Sequence, residues 1–339
     1  MRIFTHTLHA LLLVTCLSQC RTSPVEKNPA PQLQRYVYLQ SMMGTRFGIT
    51  LYAKDKPKAD AAAKAAFQYG VDVDSACSDY DVTSELMMLN AAPPNQPFPV
   101  TPLLLDVLSR ALEIARTTNG AYDPTLGQHS ANWRMARKKG TLPSPEKIAQ
   151  AKAASGWRNL IIDPDTRAAT KLNPHMRLDL GGIAKGYAAD GMLAVLADHA
   201  ITRASVTAGG EVRLGDPPPD RSGWNVGLNT LDADHRLSPA TLTLSHCAIS
   251  TSGDLYQSIT IDAQRYSHIV NPGTGLGLTT RVSATIIADL ATLSDALATA
   301  YCVDPALSQP KVRTLVILEQ PDGTLKRIPS KNWPVPSPG

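Results

Sequence analysis

Three short stretches of this 339-residue chain hold the residue types and spacings that chemistry requires. The first is Arg177-Leu178-Asp179-Leu180-Gly181-Gly182-Ile183-Ala184-Lys185-Gly186-Tyr187, where a strand-like segment delivers an acid, two glycines allow a tight turn, and a helix begins at once. A helix N-terminus with free N–H groups favours an anion, and Lys185 adds a positive charge in the first turn. The second is Ser294-Asp295-Ala296-Leu297-Ala298-Thr299-Ala300. Asp295 and Thr299 lie four apart and share one helix face, a carboxylate and a hydroxyl among small alanines, which suits a hard cation such as Mg²⁺. The third is Tyr266-Ser267-His268-Ile269-Val270-Asn271-Pro272-Gly273, a strand running into a Pro-Gly turn. His268 could exchange a proton near neutral pH. Each stretch also has a plainer reading: a β-to-α turn with a solvated lysine, a surface aspartate beside a helix-bonded threonine, and a structural histidine at a strand end.

Positioning these groups requires a mixed scaffold. Alternation from Tyr36 to Tyr52 predicts a hairpin broken near Gly44. Helical spacing covers Ala59–Asp79 and Thr101–Thr118, the latter closed by Asn119-Gly120, and Ser144-Pro145-Glu146 opens a further helix after a lysine-rich piece, Arg134–Gly140. Strands are expected at Leu160–Asp163, Met176–Leu180, Ala204–Thr207, Trp224–Leu228, Thr241–Leu244, Ser258–Ile261, Val282–Ala288 and Thr314–Glu319, with helices over Ile183–His199 and Leu290–Val303. Strands outnumber helices in irregular order. The fold class is therefore α+β, with mixed, largely antiparallel sheets and packed helices.

Composition narrows the function. Only 5% of residues are aromatic and the net charge of +4 is dispersed, so a nucleic-acid surface is not expected. No run of 18 apolar residues exists, P-loop and Rossmann signatures are absent, and H-E-x-x-H and G-x-S-x-G do not occur. At the N-terminus, Arg2 precedes the short apolar run Leu8–Leu17, which fits an export signal over residues 1–19. Leu17-Ser18-Gln19-Cys20 resembles the lipobox of bacterial lipoproteins, although Gln19 replaces the usual small residue; Cys16 is a second candidate. Residues 20–35 then form a lipid-anchored, Pro-containing tether, residues 36–330 the folded domain, and residues 331–339 a loose tail. Cys77, Cys247 and Cys302 show neither zinc nor disulfide spacing and read as buried thiols.

Taken in order, further strings join these three. They are Met43-Gly44-Thr45, Ser78-x-Tyr80-x-x-x-Ser84-Glu85-x-x-x-Leu89-Asn90, Gly120-Ala121-Tyr122-Asp123-Pro124-Thr125, Gly209-Gly210-Glu211 and Ile249-Ser250-Thr251-Ser252-Gly253. The whole resembles the ApbE family of flavin transferases over about Tyr36 to Val303. The resemblance implies a T-fold-like architecture and an enzyme that moves FMN from FAD to a threonine hydroxyl of an exported or membrane protein, releasing AMP. The acceptor would be a subunit of a sodium-pumping (Nqr), Rnf-type or related electron-transfer complex. It implies Mg²⁺ held by Asp295, Thr299 and the carbonyl of Gly182, and FAD contacts from Met43, Ala121, Tyr122, Asp123, Asp179, Lys185 and Ile269. His268 would deprotonate or orient the acceptor, with Asp295 as the second catalytic group. Together with the lipobox, it implies a location on the periplasmic side of a bacterial membrane.

The chain departs from the family pattern at Gln128–Arg134, where leucine-tryptophan-glycine is common, at Asn271, and at Ala298. Within the resemblance two other functions stay open: an FAD pyrophosphatase that releases FMN and AMP, and a non-catalytic FAD-binding lipoprotein. The Asp295/Thr299 pair together with His268 is more than storage requires.

Overall fold

The alternation that begins the folded region makes a hairpin: β1 (Gln34–Met42) pairs antiparallel with β2 (Thr45–Ala53) and turns through Met43 and Gly44, both at positive φ. The structure, a computed structural model, describes residues 32–338 apart from 232, 233, 235 and 254–257. The expected export signal, with Cys16, Gln19 and Cys20, lies outside the described residues. β1 starts at Gln34, two residues inside the expected tether.

Helix α1 (Lys56–Cys77) starts where Asp55 accepts from the Lys58 amide and Pro57 occupies the first turn. Its buried face, Ala59, Ala62, Ala63, Ala66, Gly70 and Val73, lies on one stripe of small residues. An insertion follows: α2 (Glu85–Ala91), β3 (Phe98–Pro99), α3 (Pro102–Thr117), α4 (Gly127–Lys139), α5 (Pro145–Ala154), β4 (Leu160–Asp163) and β5 (Ala168–Lys171). Ser84, Thr101 and Ser144 cap α2, α3 and α5 through their hydroxyls. The lysine-rich piece before α5 is itself helical, the C-terminal part of α4 and its Gly140 cap, and Arg137, Lys138 and Lys139 suit the negative end of the helix.

The chain then runs through α6 (Ala184–Asp198), β6 (Ala204–Ala208), β7 (Glu211–Leu214), β8 (Trp224–Leu231), β9 (Leu237–Leu244) and β10 (Ala248–Gly253). It continues with β11 (Ser258–Ile261), β12 (Gln264–Ser267), β13 (Val282–Ala288), α7 (Ala291–Val303), β14 (Arg313–Glu319), β15 (Leu325–Pro329) and β16 (Ser337–Pro338). Eight strands form one antiparallel sheet in the order β1-β2-β6-β7-β10-β13-β14-β15. Smaller sheets have the orders β3-β5-β4, β16-β9-β8 and β11-β12.

The central strands are buried on both faces. Ala284, Ile286, Ala248 and Val316 enter the main core beneath α1, α6 and α7. Their neighbours Ile287, Ile249 and Leu315 enter a second core closed by Trp224, Val226, Leu242 and Leu244 of β8 and β9. Strand alternation thus feeds two layers, which is why Val282–Ala288 reads as one apolar run.

Two expectations are corrected. Met176–Leu180 is not a strand, because side chains and loop carbonyls take its backbone groups. Asn90 Oδ1 accepts from Leu178 N at 2.7 Å, Asn90 Nδ2 donates to Leu178 O at 3.1 Å, and Asp179 N donates to Pro124 O at 2.8 Å. The tail is not loose: Trp333, 9% exposed, packs into the second core, and Ser337–Pro338 pairs with β9.

Candidate active site

Helix α7 has no capping side chain of its own. Asp190 of α6 supplies the cap from outside, its carboxylate accepting from Ala291 N (2.9 Å), Thr292 N (2.8 Å) and Thr292 Oγ1 (2.6 Å). An acid at a helix N-terminus is also favoured by the helix dipole. The two helices then cross closely: a Cβ on Gly186 would sit 2.2 Å from Ala291 O and 2.9 Å from the Asp295 Cβ, so only glycine fits. The crossing lets Gly186 N donate to Asp295 Oδ2 at 3.0 Å.

Asp295 is thereby held 1% exposed at the floor of a cleft of about 310 Å³ and is not a surface residue. Thr299, one turn on, faces the same cleft, and its hydroxyl lies 3.5 Å from Ser252 Oγ on β10. Gly182 completes this corner: a Cβ there would meet Thr299 Oγ1 and Tyr122 Cε2, each at 3.3 Å. Lys185 Nζ donates to Gly181 O at 2.9 Å and lies 3.6 Å from Asp295 Oδ2 and 3.7 Å from Glu211 Oε1. Burial opposes the charge on Lys185, but Asp295 and Glu211 outweigh it and raise its pKa. Burial, then repulsion from Asp295, pushes Glu211 up to about 8 against the pull of Lys185.

The other side of the cleft is built by α4 and the segment after β12. Trp133 Nε1 donates to Ser267 O at 2.9 Å, and the Trp133 ring meets Tyr266 edge-on at 5.5 Å. This contact presents His268, Ile269 and Val270 to the cleft. At the rim, Arg134 pairs with Asp79 and lies 4.5 Å over the Tyr80 ring. Burial and the nearby Asp179 raise the Asp79 carboxyl, against the opposing effect of Arg134.

Ten of the eleven residues expected at the site line this one cleft: Ala121, Tyr122, Asp123, Asp179, Gly182, Lys185, His268, Ile269, Asp295 and Thr299. Met43 is not among the lining residues. It forms the β1–β2 turn at φ 50°, with its amide donating to Asp74 Oδ2 at 3.2 Å. Asp123 lines the cleft, but its carboxylate accepts from Thr125 N, Thr125 Oγ1 and Trp157 N and so binds its own loop together. Asp179 closes a turn by accepting from Gly181 N at 2.8 Å. The Tyr122 hydroxyl is buried without a partner among the described residues.

Sequence reasoning did not assign Asp79, Arg134, Arg137, Ser252 or Glu211 to the site. Asp79 and Arg134 are 55 positions apart and no local pattern links them. Glu211, an acid beginning a strand otherwise apolar at its buried positions, was a usable signal.

Among the described residues no group of three or more His, Cys, Asp or Glu side chains could hold a metal ion by itself. The floor instead offers one buried carboxylate, hydroxyls from Thr299 and Ser252, and the small-residue corner at Gly182. An all-oxygen, incomplete donor set of this kind fits Mg²⁺, which binds through one or two carboxylates and takes its remaining ligands from water and substrate phosphates.

A family model described as the ApbE family matches residues 43–314. The chain is 30% identical over 313 residues to the FAD:protein FMN transferase of Klebsiella pneumoniae, covering 90% of this chain and 89% of that one. It is 30% identical over 292 residues to the enzyme of the same name from Treponema pallidum, covering 80% and 79%. Among solved structures, the flavin transferase ApbE from Vibrio cholerae superposes with a TM-score of 0.80 at 27% identity, covering 89% of this chain and 98% of that one. With the family match extending across both walls of the cleft and the antiparallel scaffold shared with that structure, this chain belongs to the ApbE family.

Proposed function

We propose that this chain carries out the reaction for which its relatives are named, transferring FMN from FAD to a protein, with a threonine hydroxyl as acceptor and AMP as the other product. The observation that carries this reading is the cleft floor, where a buried carboxylate, two hydroxyls and an ammonium converge. That combination suits the diphosphate of FAD. In the reaction the acceptor oxygen forms a bond to the flavin-side phosphorus, the bridging P–O bond breaks, and AMP departs with the bonding pair.

Phosphoryl transfer needs alignment and charge neutralisation more than covalent help from the protein. Lys185 is placed to offset phosphate charge, and the Gly181-Gly182 turn admits the diphosphate close to the backbone. Asp295, Thr299 and the Gly182 carbonyl would hold Mg²⁺, which when bound supplies neutralisation of the diphosphate charge. His268, presented by the Trp133–Ser267 contact, receives or orients the proton of the acceptor hydroxyl. Tyr122 and Ile269 form apolar wall.

The acceptor is proposed to be an exported or membrane subunit of an Nqr-, Rnf- or related electron-transfer complex. The chain itself is proposed to be exported and held on the periplasmic side of a membrane by lipid on Cys20. Fractionation checks this: C20A should move the chain from membrane to soluble fractions.

The decisive experiment incubates the chain with FAD, Mg²⁺ and a candidate acceptor domain, followed by mass spectrometry of the acceptor. A mass gain equal to FMN with equimolar AMP is expected. Free FMN and AMP with an unlabelled acceptor would make the chain a pyrophosphatase, and unchanged FAD would make it a binding protein.

A further inference from the structure

Lys185 poses a problem for the site it serves. Its ammonium is a cation within 3.6 Å of Asp295 Oδ2, and a lysine beside a buried carboxylate is drawn onto it. Fully closed, the pair would occupy the carboxylate that a divalent cation needs. In the structure it is not closed. The ammonium bonds Gly181 O at 2.9 Å but stands off from both acids, at 3.6 Å from Asp295 and 3.7 Å from Glu211, beyond direct N–H···O range.

Glu211 is 4% exposed at the start of β7 and does not line the cleft. Its register partner is Ser250 of β10, whose hydroxyl bonds Ser294 of α7 at 2.7 Å, so this face of the sheet is turned toward the helix that carries Asp295. Glu211 therefore reaches Lys185 from behind. Its Oε2 is buried with no hydrogen-bond partner among the described residues, while its carboxylate faces both the lysine, through Oε1, and Asp295, whose charge acts on it directly.

We propose that Glu211 is a positioning residue that keeps Lys185 from closing onto Asp295, leaving that carboxylate open to a divalent cation. The inference rests on the metal reading of Asp295 given above. Glu211 acts as a second acceptor that shares the Lys185 ammonium with Asp295, and an acceptor of the same shape does the same work. This separates the proposal from a simpler one, in which Glu211 only adds negative charge near the metal.

The test measures binding of Mn²⁺ alone to the full chain, by loss of the free-ion electron paramagnetic resonance signal, with no flavin and no turnover. E211L should weaken binding about tenfold or more, the usual cost of removing a group that orients a metal ligand. E211Q retains an acceptor oxygen and should bind close to the unaltered chain. In a K185M background the loss caused by E211L should vanish, because the lysine it restrains is gone. The proposal is overturned if E211Q binds as weakly as E211L, if E211L binds normally, or if the loss persists in K185M. If E211L does not fold, the metal-free crystal structure of E211Q decides. The Lys185 ammonium must stay on Gly181 O, standing off from Asp295 as it does here, and its relocation onto Asp295 overturns the idea. Failure of the unaltered chain to bind Mn²⁺, or undiminished binding by D295N, would instead sink the metal reading itself.

Discussion

The two walls of the cleft are built on different physical terms. The floor, from α6, α7 and β10, is set by helix crossing and a cap donated across elements, and its Asp295 carboxylate is nearly sealed from solvent. In the opposite wall, α4 is joined to the segment after β12 by an indole hydrogen bond, and an ion pair stands at the open rim, with Tyr80 78% exposed. Electrostatic interactions are strong where water is excluded and weak where it is not. The floor is therefore suited to stabilising charge during transfer, and the other wall to admitting and orienting what arrives.

That division can be broken by measurement. Asp295→Asn keeps an acceptor for Gly186 N but removes the buried charge, and flavin transfer should fall by about a thousandfold or more. In-gel fluorescence of the flavinylated acceptor, with circular dichroism to check the fold, reads this; near-normal labelling would refute the metal assignment. His268→Ala on the other wall should slow transfer about a hundredfold while FAD binding, followed by flavin fluorescence, survives. Loss of binding instead would make His268 a ligand contact.

A smaller effect is expected at the rim. Arg134→Ala removes the guanidinium from the Tyr80 face and leaves Asp79 without its partner, so KM should rise a few-fold with kcat little changed. A kcat loss as large as that of Asp295→Asn would erase the distinction between the walls. The smallest effect concerns His129 of α4, which is 1% exposed and whose pKa burial lowers. A histidine held below its unfolded pKa binds fewer protons when folded. Its destabilising influence is therefore absent above about pH 6.5 and grows as pH falls through that value and on to the lower folded one. Urea midpoints should drop on acidification through this window, and His129→Gln should flatten the drop.

Much of the scaffold is legible from local pattern. The β1–β2 hairpin follows from alternation around Met43-Gly44, and α3 and α5 follow from Thr101-Pro102 and Ser144-Pro145, because caps and turns are decided by neighbours within a few positions. The pairing of Asp295 with Thr299 is legible for the same reason, since four residues is one helical turn. The misreadings have the opposite origin. Met176–Leu180 has strand-like residues, yet Asn90, 88 positions away, bonds the backbone groups of Leu178 that a neighbouring strand would need. The proline-bearing tail looks unstructured until Trp333 finds a core made by β8, β9 and β14.

From the chain alone, one can read a carboxylate and a hydroxyl on one helical face, a glycine turn before a lysine, and a histidine before a Pro-Gly bend, since each depends only on local geometry. Whether they form one site could be decided only by folding. Asp190 caps α7 from another helix, Gly186 brings that helix close, and Glu211 reaches Lys185 across a strand that shares no local pattern with it. Burial and the balance of charge are properties of the assembled neighbourhood, so no spacing in the sequence records them.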